Sequence, residues 1–170
     1  MTLSEHLPAP SQLGLLALLG SGALLGGAYY FQYVVGLAPC EMCYWQRWPH
    51  MVAIAAGLAA LGSFAWPRLA LVLVMTAITA LIVSAAIAVF HVGIEYHWWT
   101  GPLACSGGVP LGLSPEQLKR YLFSAKMVRC DAPAWQMWGI SMAGWNAILS
   151  AVLAFVLASG VANWVRSSRP

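Results

Sequence analysis

The sequence predicts an all-α integral membrane protein, a four-transmembrane-helix bundle in which residues 1–170 form a single membrane domain. Two observations lead to this expectation. Hydrophobic residues make up 61% of the chain and charged residues only 8%, whereas about a quarter of the residues of a soluble domain are charged. Four apolar stretches also approach or exceed the roughly 20 residues with which a helix crosses the hydrocarbon core. Most of the surface is therefore expected to face lipid.

The predicted spans are continuous helices, which satisfy their own backbone hydrogen bonds in lipid. They cover about residues 13–35, 44–66, 69–92 and 138–165. Residues Met1 to Gln12 contain no Lys or Arg, which argues against a cleaved signal peptide, and the first span is expected to remain as a helix. Gly22 and Gly26, four residues apart within it, are expected to permit close helix packing.

The second span contains Pro49, which leaves two interpretations. In the favoured one, the helix starts between Cys40 and Tyr44 and is kinked at Pro49, because proline lacks a backbone donor. In the other, Pro49 occupies the first helical position, and about 18 residues remain, near the lower limit for crossing.

The loop between spans three and four, about residues 93–137, contains one recognisable element. Ser114 followed by Pro115 and Gln117 has the pattern of a helix N-terminus with a capping box. Apolar residues then recur at helical spacing from Leu118 to Val128. This pattern predicts a short amphipathic surface helix on the bilayer. A helix packed over the mouth of the bundle fits the pattern about equally well.

The orientation rests on charge and on the cysteines. Arginines close to the span ends favour cytoplasmic termini only weakly, because several basic residues lie in the long loop. All four cysteines, Cys40, Cys43, Cys105 and Cys130, fall in the first loop (about 36–43) and the third loop, on one face. An even number gathered there suggests disulfides in an oxidising compartment, so the cysteine loops are expected to be periplasmic.

The chemistry centres on Cys40-Glu41-Met42-Cys43, a C-x-x-C motif. Such a dithiol can close into a small ring, and at a helix N-terminus the macrodipole favours the thiolate. Arg47 follows Cys43 by four residues and would share its helix face. A permanent cation there would favour the Cys43 thiolate, or an anionic acceptor beside it. Otherwise, Arg47 would be an interfacial side chain that extends to the headgroups.

Other uses of the cysteines fit less well, and no metal site is expected. A zinc site would need a second close pair, but Cys105 and Cys130 are 25 positions apart. Tyr44 stands where a c-type haem motif requires histidine. Structural disulfides remain an alternative, especially for Cys105 with Cys130, which would close a long loop. With a redox C-x-x-C, that pair would instead form a relay that exchanges disulfides between loops.

A relay needs an electron acceptor, and the sequence has no dinucleotide-binding fingerprint. Because the thiols are expected at the lipid boundary, a lipid-soluble quinone is the predicted acceptor. His91 lies at the end of span three, at the same membrane level as Cys43 and Arg47, and could donate a hydrogen bond to a quinone carbonyl. An interfacial histidine is the alternative. Glu95, His97 and His50 are interpreted as interfacial residues.

The sequence resembles the DsbB family of bacterial disulfide-bond formation proteins over essentially its whole length. The resemblance lies in four segments: Pro39–Pro49 with the C-x-x-C and Arg47, Phe90–Glu95, Cys105–Gly107 and Val128–Asp131. It implies an inner-membrane, multi-pass enzyme with both termini cytoplasmic. Its implied acceptor is ubiquinone or menaquinone. Its implied partners are a periplasmic DsbA-like thioredoxin-fold protein and membrane lipid, with no nucleic acid, and the chain is expected to be a monomer.

The resemblance also implies an order of events. The reduced DsbA-like protein attacks a Cys105–Cys130 disulfide at Cys105, and Cys130 then exchanges with the Cys40–Cys43 disulfide at Cys40. Cys43 reduces the quinone, Arg47 stabilises the developing negative charge, and His91 matches a family position near the quinone.

Two other functions remain open. One is a vitamin K epoxide reductase-like quinone enzyme, although there the loop cysteine pair precedes the C-x-x-C. The other is a membrane scaffold with structural disulfides, in which Cys40 and Cys43 would resist mild reduction.

Overall fold

The computed structural model describes residues 9–102, 112–124 and 129–168. Within these ranges the protein consists of helices and one small hairpin. The elements are α1 (Ala9–Tyr33), α2 (Glu41–Gly62), α3 (Pro67–Glu95), α4 (Pro115–Ser124), β1 (Gln136–Met137), β2 (Ile140–Ser141) and α5 (Met142–Ser167). Cys105, one of the predicted catalytic cysteines, lies outside the described residues.

In the part of the chain that the structure describes, three helices are long and apolar enough to cross a membrane. They cover Pro10–Tyr33, Pro67–Glu95 and Met142–Ser167, the architecture of a helical membrane protein. The remaining long helix, α2, carries Gln46 and Arg47 and is less apolar. Four spans therefore stay a prediction, although α2 packs closely against both α1 and α3, and α3 also packs against α5.

Helix α2 begins at Glu41, with Cys40 as its N-cap residue. Pro49 consequently lies inside the helix, and the interpretation in which the helix starts before Pro49 is the one found. The cap forms because the Cys40 sulfur accepts a hydrogen bond from the Cys43 main-chain N–H, one of the orphan donors at a helix start. The C-x-x-C motif thus defines where the helix starts.

Small residues bring α1 and α2 into backbone contact. An added Cβ on Gly57 would lie 2.7 Å from the carbonyl oxygen of Gly14, and one on Gly14 would lie 2.9 Å from that of Gly57. The close helix packing predicted at Gly22 and Gly26 does not occur there, because a Cβ on either would meet nothing within 4 Å among the described residues. Both have the expected spacing, but that spacing does not show which helix face meets a neighbour.

The main hydrophobic core lies between α1, α2, α3 and α5 and consists mostly of small side chains. Its buried members include Ala17, Ala53, Ala60, Val74, Ala77, Ala154 and Leu157. Since alanine and valine project little from the helix, the helix axes can approach closely.

Helix α3 continues to Glu95, beyond the predicted end near residue 92, and the chain then folds back beside it. Trp99 stacks on Phe90 with ring centroids 5.5 Å apart, and its Nε1 donates to the Phe90 carbonyl oxygen. The Trp99 ring also lies so close to Gly93 that a Cβ there would be 2.0 Å from it. Only glycine leaves room for this ring.

Helix α5 starts four residues later than the predicted span because a hairpin precedes it. Strands β1 and β2 pair antiparallel around Trp138 and Gly139, whose φ angles are 53° and 77°. Positive φ at both central residues is the geometry of a type I′ turn. Ser141 then caps α5, since its hydroxyl accepts a hydrogen bond from the Gly144 N–H.

Helix α4 occurs where the capping pattern predicts it. The Ser114 hydroxyl accepts from the Gln117 N–H, and the Ser114 N–H donates to the Gln117 side chain, so the capping box is formed. Its position relative to a bilayer stays a prediction.

The close contact of α1 with α2 makes a testable prediction. We expect Gly57→Ala to destabilise the protein by about 1–3 kcal/mol, because the new methyl group would meet backbone atoms that can move only if the helices separate. Thermal unfolding in detergent, followed by circular dichroism, measures this effect. Gly22→Ala is the matched control and should be neutral or stabilising, since alanine favours helix over glycine. Equal unfolding temperatures for the two variants would contradict the prediction.

Candidate functional site

The Cys40 and Cys43 thiols lie together at the N-terminal end of α2. Their Sγ atoms are 2.9 Å apart, within hydrogen-bonding distance, and both cysteines are free. The Cys43 main-chain N–H donates to the Cys40 Sγ at 3.3 Å. The positive end of the helix dipole therefore acts on this sulfur, and the two thiols are placed to close into a disulfide.

The two thiols differ in acidity. The hydrogen bond from the Cys40 thiol lowers the pKa of Cys43 to about 7 even though Cys43 is largely buried, and the charge of Arg47 acts in the same direction. The same hydrogen bond, together with burial, raises the pKa of Cys40. Cys43, in the first turn of α2 and ahead of the predicted span 44–66, is thus the sulfur better suited to carry negative charge.

Cys130 brings a third sulfur to this pair from the long loop. Its side chain is buried, with 1% exposed, and it is disulfide-bonded. The Cys130 Sγ, the Cys40 Sγ and a ring nitrogen of His91 all lie within 4.8 Å of one another. Because Cys105 lies outside the described residues, its pairing with Cys130 stays a prediction.

Three such residues could in principle hold a metal ion. Zinc binds the thiolate form of cysteine, however, and a sulfur in a disulfide carries no such charge. The arrangement of Cys40, His91 and Cys130 is better suited to disulfide exchange, which needs one sulfur within reach of another.

Arg47 is buried inside the bundle, with 7% exposed. Its Nη1 donates to the Gln32 side-chain oxygen at 2.5 Å. The guanidinium lies 5.1 Å from the ring centroids of both Tyr29 and Tyr44, a distance at which cations interact with aromatic faces. Its Nε is buried without a hydrogen-bond partner in the described part of the chain, so one donor is left for another acceptor.

His91 joins the sulfur pair and Gln46 of α2 to α3. Its Nε2 lies 3.6 Å from the Cys40 Sγ, and its Nδ1 lies 2.9 Å from the Gln46 amide nitrogen. Glu95, one turn later on α3, has a carboxylate oxygen 4.0 Å from His91 Nε2 and accepts a hydrogen bond from the Ser141 hydroxyl. Glu95 was predicted to be interfacial, but its side chain is only 6% exposed.

His50 was also predicted to be interfacial, and this was wrong: it is 3% exposed. It belongs to a buried group that we call the polar seam. The polar seam consists of Gln46, His50, Ser84, Asn146 and Ser150. His97, by contrast, is exposed.

Apart from His50, the residues of the polar seam were not predicted from the sequence. Its signal was nevertheless present, because polar residues in otherwise apolar helices recur at a spacing of four: Gln46 with His50, and Asn146 with Ser150. Residues four apart share a helix face, and ionisable or polar groups inside a membrane bundle usually face one another or a cavity.

A cavity of about 460 Å³ lies beside these residues. Its polar lining comprises Gln32, Cys40, Cys43, Gln46, Arg47, His50, His91, Glu95, Arg129 and Asn146. Apolar side chains, including Phe31, Trp135 and Leu149, form much of the rest. Mostly apolar walls with a few convergent polar groups are typical of a site for a small organic molecule.

Comparison with known proteins gives consistent matches. A family model described as "Disulfide bond formation protein DsbB" matches residues 10–160. Disulfide bond formation protein B of Verminephrobacter eiseniae is 30% identical over 94% of this chain and 90% of its own length. The protein of the same name from Pasteurella multocida is 29% identical over 90% of this chain and 87% of its own.

An uncharacterised Rickettsia prowazekii protein, RP370, is 28% identical over 85% of this chain and 84% of its own length. No solved structure matches significantly.

The acidity of Cys43 can be tested by alkylation. In the reduced protein, the rate of Cys43 modification by iodoacetamide is expected to rise with pH around a midpoint near 7, the pKa given by its surroundings. Arg47→Met should move the midpoint to higher pH, and Cys40→Ala should move it further, since the hydrogen bond from Cys40 is the larger cause. Mass spectrometry of the Cys43 peptide gives the rate. Arg68→Met, at the start of α3, is the control, and a midpoint unchanged in both test variants would contradict the prediction.

Proposed function

Because the chain belongs to the DsbB family of disulfide bond formation proteins, we propose that it reoxidises a periplasmic DsbA-like thioredoxin-fold protein and passes the electrons to a membrane quinone. Disulfide-forming oxidoreductase activity at a membrane follows from the family relation. The observation that carries the finer proposal is the cluster of Cys40, His91 and Cys130 within 4.8 Å, beside a cavity that Cys43 and Arg47 also line.

In the proposed sulfur relay, the outer disulfide joins Cys105 and Cys130. A thiolate of the reduced partner attacks Cys105, forms a mixed disulfide with it and releases Cys130 as a thiolate. The second partner thiol then displaces Cys105 and leaves as the oxidised partner. Two electrons have now entered the chain, and no further oxidant is needed up to this point.

Cys130 then attacks Cys40 in the Cys40–Cys43 disulfide. A new Cys130–Cys40 bond forms, and Cys43 leaves as a thiolate. The short distance between the Cys130 and Cys40 sulfurs supports this route. The lowered pKa of Cys43 also supports it, because a thiol of low pKa is the better leaving group in exchange. Attack of Cys105 on Cys130 then restores the outer disulfide and leaves Cys40 and Cys43 reduced.

The residues around the cavity fit a quinone head group. The walls are mainly apolar, and Arg47 offers a buried Nε without a partner among the described residues. When bound, a quinone would supply an acceptor for two electrons and two protons. Arg47 would hold its head group and favour negative charge there, while His91 would act as a hydrogen-bond donor. The apolar walls would exclude water and strengthen both interactions.

The proposed location is the bacterial inner membrane, with both termini cytoplasmic and the cysteine loops periplasmic. Cys40 and Cys130 lie on the same end of the bundle, because their sulfurs meet at the start of α2. An oxidising compartment is where such disulfides form and persist. The proposed quinone is ubiquinone or menaquinone, and the proposed assembly is a monomer in lipid.

Coupled turnover tests the proposal. Purified protein in detergent, mixed with a reduced thioredoxin-fold partner and a soluble quinone, is expected to accelerate quinone loss, followed by its absorbance. Arg47→Met should raise the KM for quinone about tenfold or more, the effect of losing a hydrogen bond from a charged group, whereas Arg68→Met should not change it. Wild-type protein that consumes quinone no faster than Cys43→Ser would refute the proposal.

The exchange between loops makes a separate prediction. In a Cys43→Ser variant kept without reduced partner, the Cys40 thiolate can attack Cys130 of the Cys105–Cys130 disulfide and release Cys105 as a thiol. Because no neighbouring thiol can then displace Cys130 from Cys40, a Cys40–Cys130 disulfide should accumulate. Peptide mapping without reductant identifies this bond. The matched variant is Cys40→Ser, in which we expect little Cys43–Cys130 product. A predominant bond between Cys43 and Cys130 would show that the order of the inner sulfurs is wrong.

A further inference from the structure

We propose that Asn146 of α5 is a positioning residue that sets the tautomer of His91, acting through Gln46. The inference deepens the proposed function, since His91 lies beside the Cys40 sulfur at which disulfide exchange is proposed. Asn146 itself contacts neither sulfur. Its effect would pass along two hydrogen bonds, one between Asn146 and Gln46 and the other between Gln46 and His91.

The first step concerns His91 and Gln46. The Gln46 amide group donates to the Met42 carbonyl oxygen at 3.2 Å and lies 2.9 Å from His91 Nδ1. An amide nitrogen only donates, so His91 Nδ1 must accept. In a neutral imidazole the proton then resides on Nε2, the nitrogen 3.6 Å from the Cys40 Sγ.

The second step concerns what keeps the Gln46 amide in this orientation. A glutamine side chain can reverse its amide by rotation about one bond, which would present its oxygen to His91. Here the Gln46 Oε1 accepts a hydrogen bond from the Asn146 amide nitrogen at 2.8 Å. Reversal would bring two amide nitrogens face to face and lose this bond.

Asn146 is in turn fixed by three partners. Its Oδ1 accepts from the Ser150 hydroxyl at 3.1 Å and lies 3.0 Å from His50 Nε2. Its amide nitrogen also donates to the Ser84 hydroxyl oxygen at 3.2 Å. Ser84 uses its own proton on the Gln46 carbonyl oxygen, so it can accept here. The contacts with Gln46 and Ser150 favour this orientation of the Asn146 amide, and the His50 contact agrees with it when His50 Nε2 carries the proton.

The consequence is a donor at Cys40. With the proton on Nε2, His91 presents its one N–H to the Cys40 sulfur and to the Cys130 main chain, and a donor at the sulfur favours its thiolate. This is the same N–H that would donate to a quinone head group, so the two roles belong to different steps. The opposite tautomer would present a lone pair there and disfavour the negative charge. In the exchange that we propose, Cys40 leaves Cys130 as a thiolate when Cys105 attacks, a step that a donor at the Cys40 sulfur would favour. Asn146 would therefore determine whether His91 presents an N–H or a lone pair to the Cys40 sulfur.

Nitrogen NMR of histidine tests the inference directly. Full-length protein labelled with ¹⁵N-histidine, reduced and held in detergent at pH 8, is used without quinone or partner protein. Long-range proton–nitrogen correlation distinguishes the two neutral tautomers, and the His91 signal is assigned by its loss in His91→Gln. We expect wild-type His91 to carry its proton on Nε2. A proton on Nδ1 in the wild type would overturn the inference without any variant.

Variants then assign the effect to Asn146. In Asn146→Leu, the Gln46 amide loses the bond to its oxygen and is oriented only by the Met42 carbonyl oxygen, so we expect the second His91 tautomer to appear beside the first. Gln46→Leu removes the same link and should give the same mixture if the first variant does not fold. Ser150→Ala is the matched control, since it removes a partner of Asn146 but leaves the bond to Gln46, and its His91 should stay on Nε2. An unchanged single tautomer in Asn146→Leu or Gln46→Leu would overturn the inference.

A rate measurement connects the tautomer to chemistry. Single-turnover oxidation of reduced Asn146→Leu protein by a soluble quinone should slow in proportion to the fraction of molecules that hold the less favourable tautomer, by at most about twofold for an equal mixture. If wild-type protein reduced no quinone, the proposed function would fail while the NMR result could still stand. If quinone reduction occurred normally in Asn146→Leu despite a mixed tautomer, His91 would not act by this route.

Discussion

The hydrogen bond between Gln46 of α2 and His91 of α3 holds the candidate site together. It is buried, and each partner would cost free energy if left without the other in a low-dielectric bundle. Through this bond, the start of α2 is held at the level of His91, and the Cys40 sulfur is placed beside the Cys130 sulfur of the long loop. Loss of this one bond would remove the contact that holds α2 and α3, and with them the sulfurs and the cavity lining, at the same level.

The two ends of the bundle differ in how closely their helices pack. Toward the chain termini, Gly14 and Gly57 bring α1 and α2 into backbone contact, and the ring-free core of alanine and valine leaves little space. At the other end, larger polar and aromatic side chains separate the helices around the cavity. Tight packing at one end therefore supplies the rigidity that allows an open, functional region at the other.

Much of the fold could be predicted because lipid imposes simple rules on composition and length. The long apolar helices, the start of α2 before Pro49 and the capping box of α4 follow from local patterns. The hairpin before α5 could not be foreseen from apolar content, since Met137, Trp138 and Ile140 fit a helix equally well. Gly57 rather than Gly22 mediates close packing, and only the relative rotation of the helices decides that.

The candidate site was foreseen in part. The C-x-x-C, Arg47 and His91 have signatures in residue type and spacing, and the structure gathers them around one cavity, with the Cys130 sulfur beside Cys40 and His91. The burial of Arg47, Glu95 and His50 was not foreseen, because a charged or ionisable residue near a span end is equally typical of the membrane interface. Which of these residues face inward depends on tertiary contacts between helices that are far apart in sequence.

The fold-back of Trp99 onto Phe90 limits the distance at which Cys105 can lie from the end of α3. Cys105 is six positions after Trp99, and a chain of that length spans at most about 20 Å. On the other side, Cys130 is five residues from Trp135, whose carbonyl oxygen accepts a hydrogen bond from the first residue of α5. Both loop cysteines are thus on short tethers. Short tethers keep the effective concentration of one reactive group near another high, in the millimolar range, so loop length as well as chemistry would govern how often the sulfurs meet.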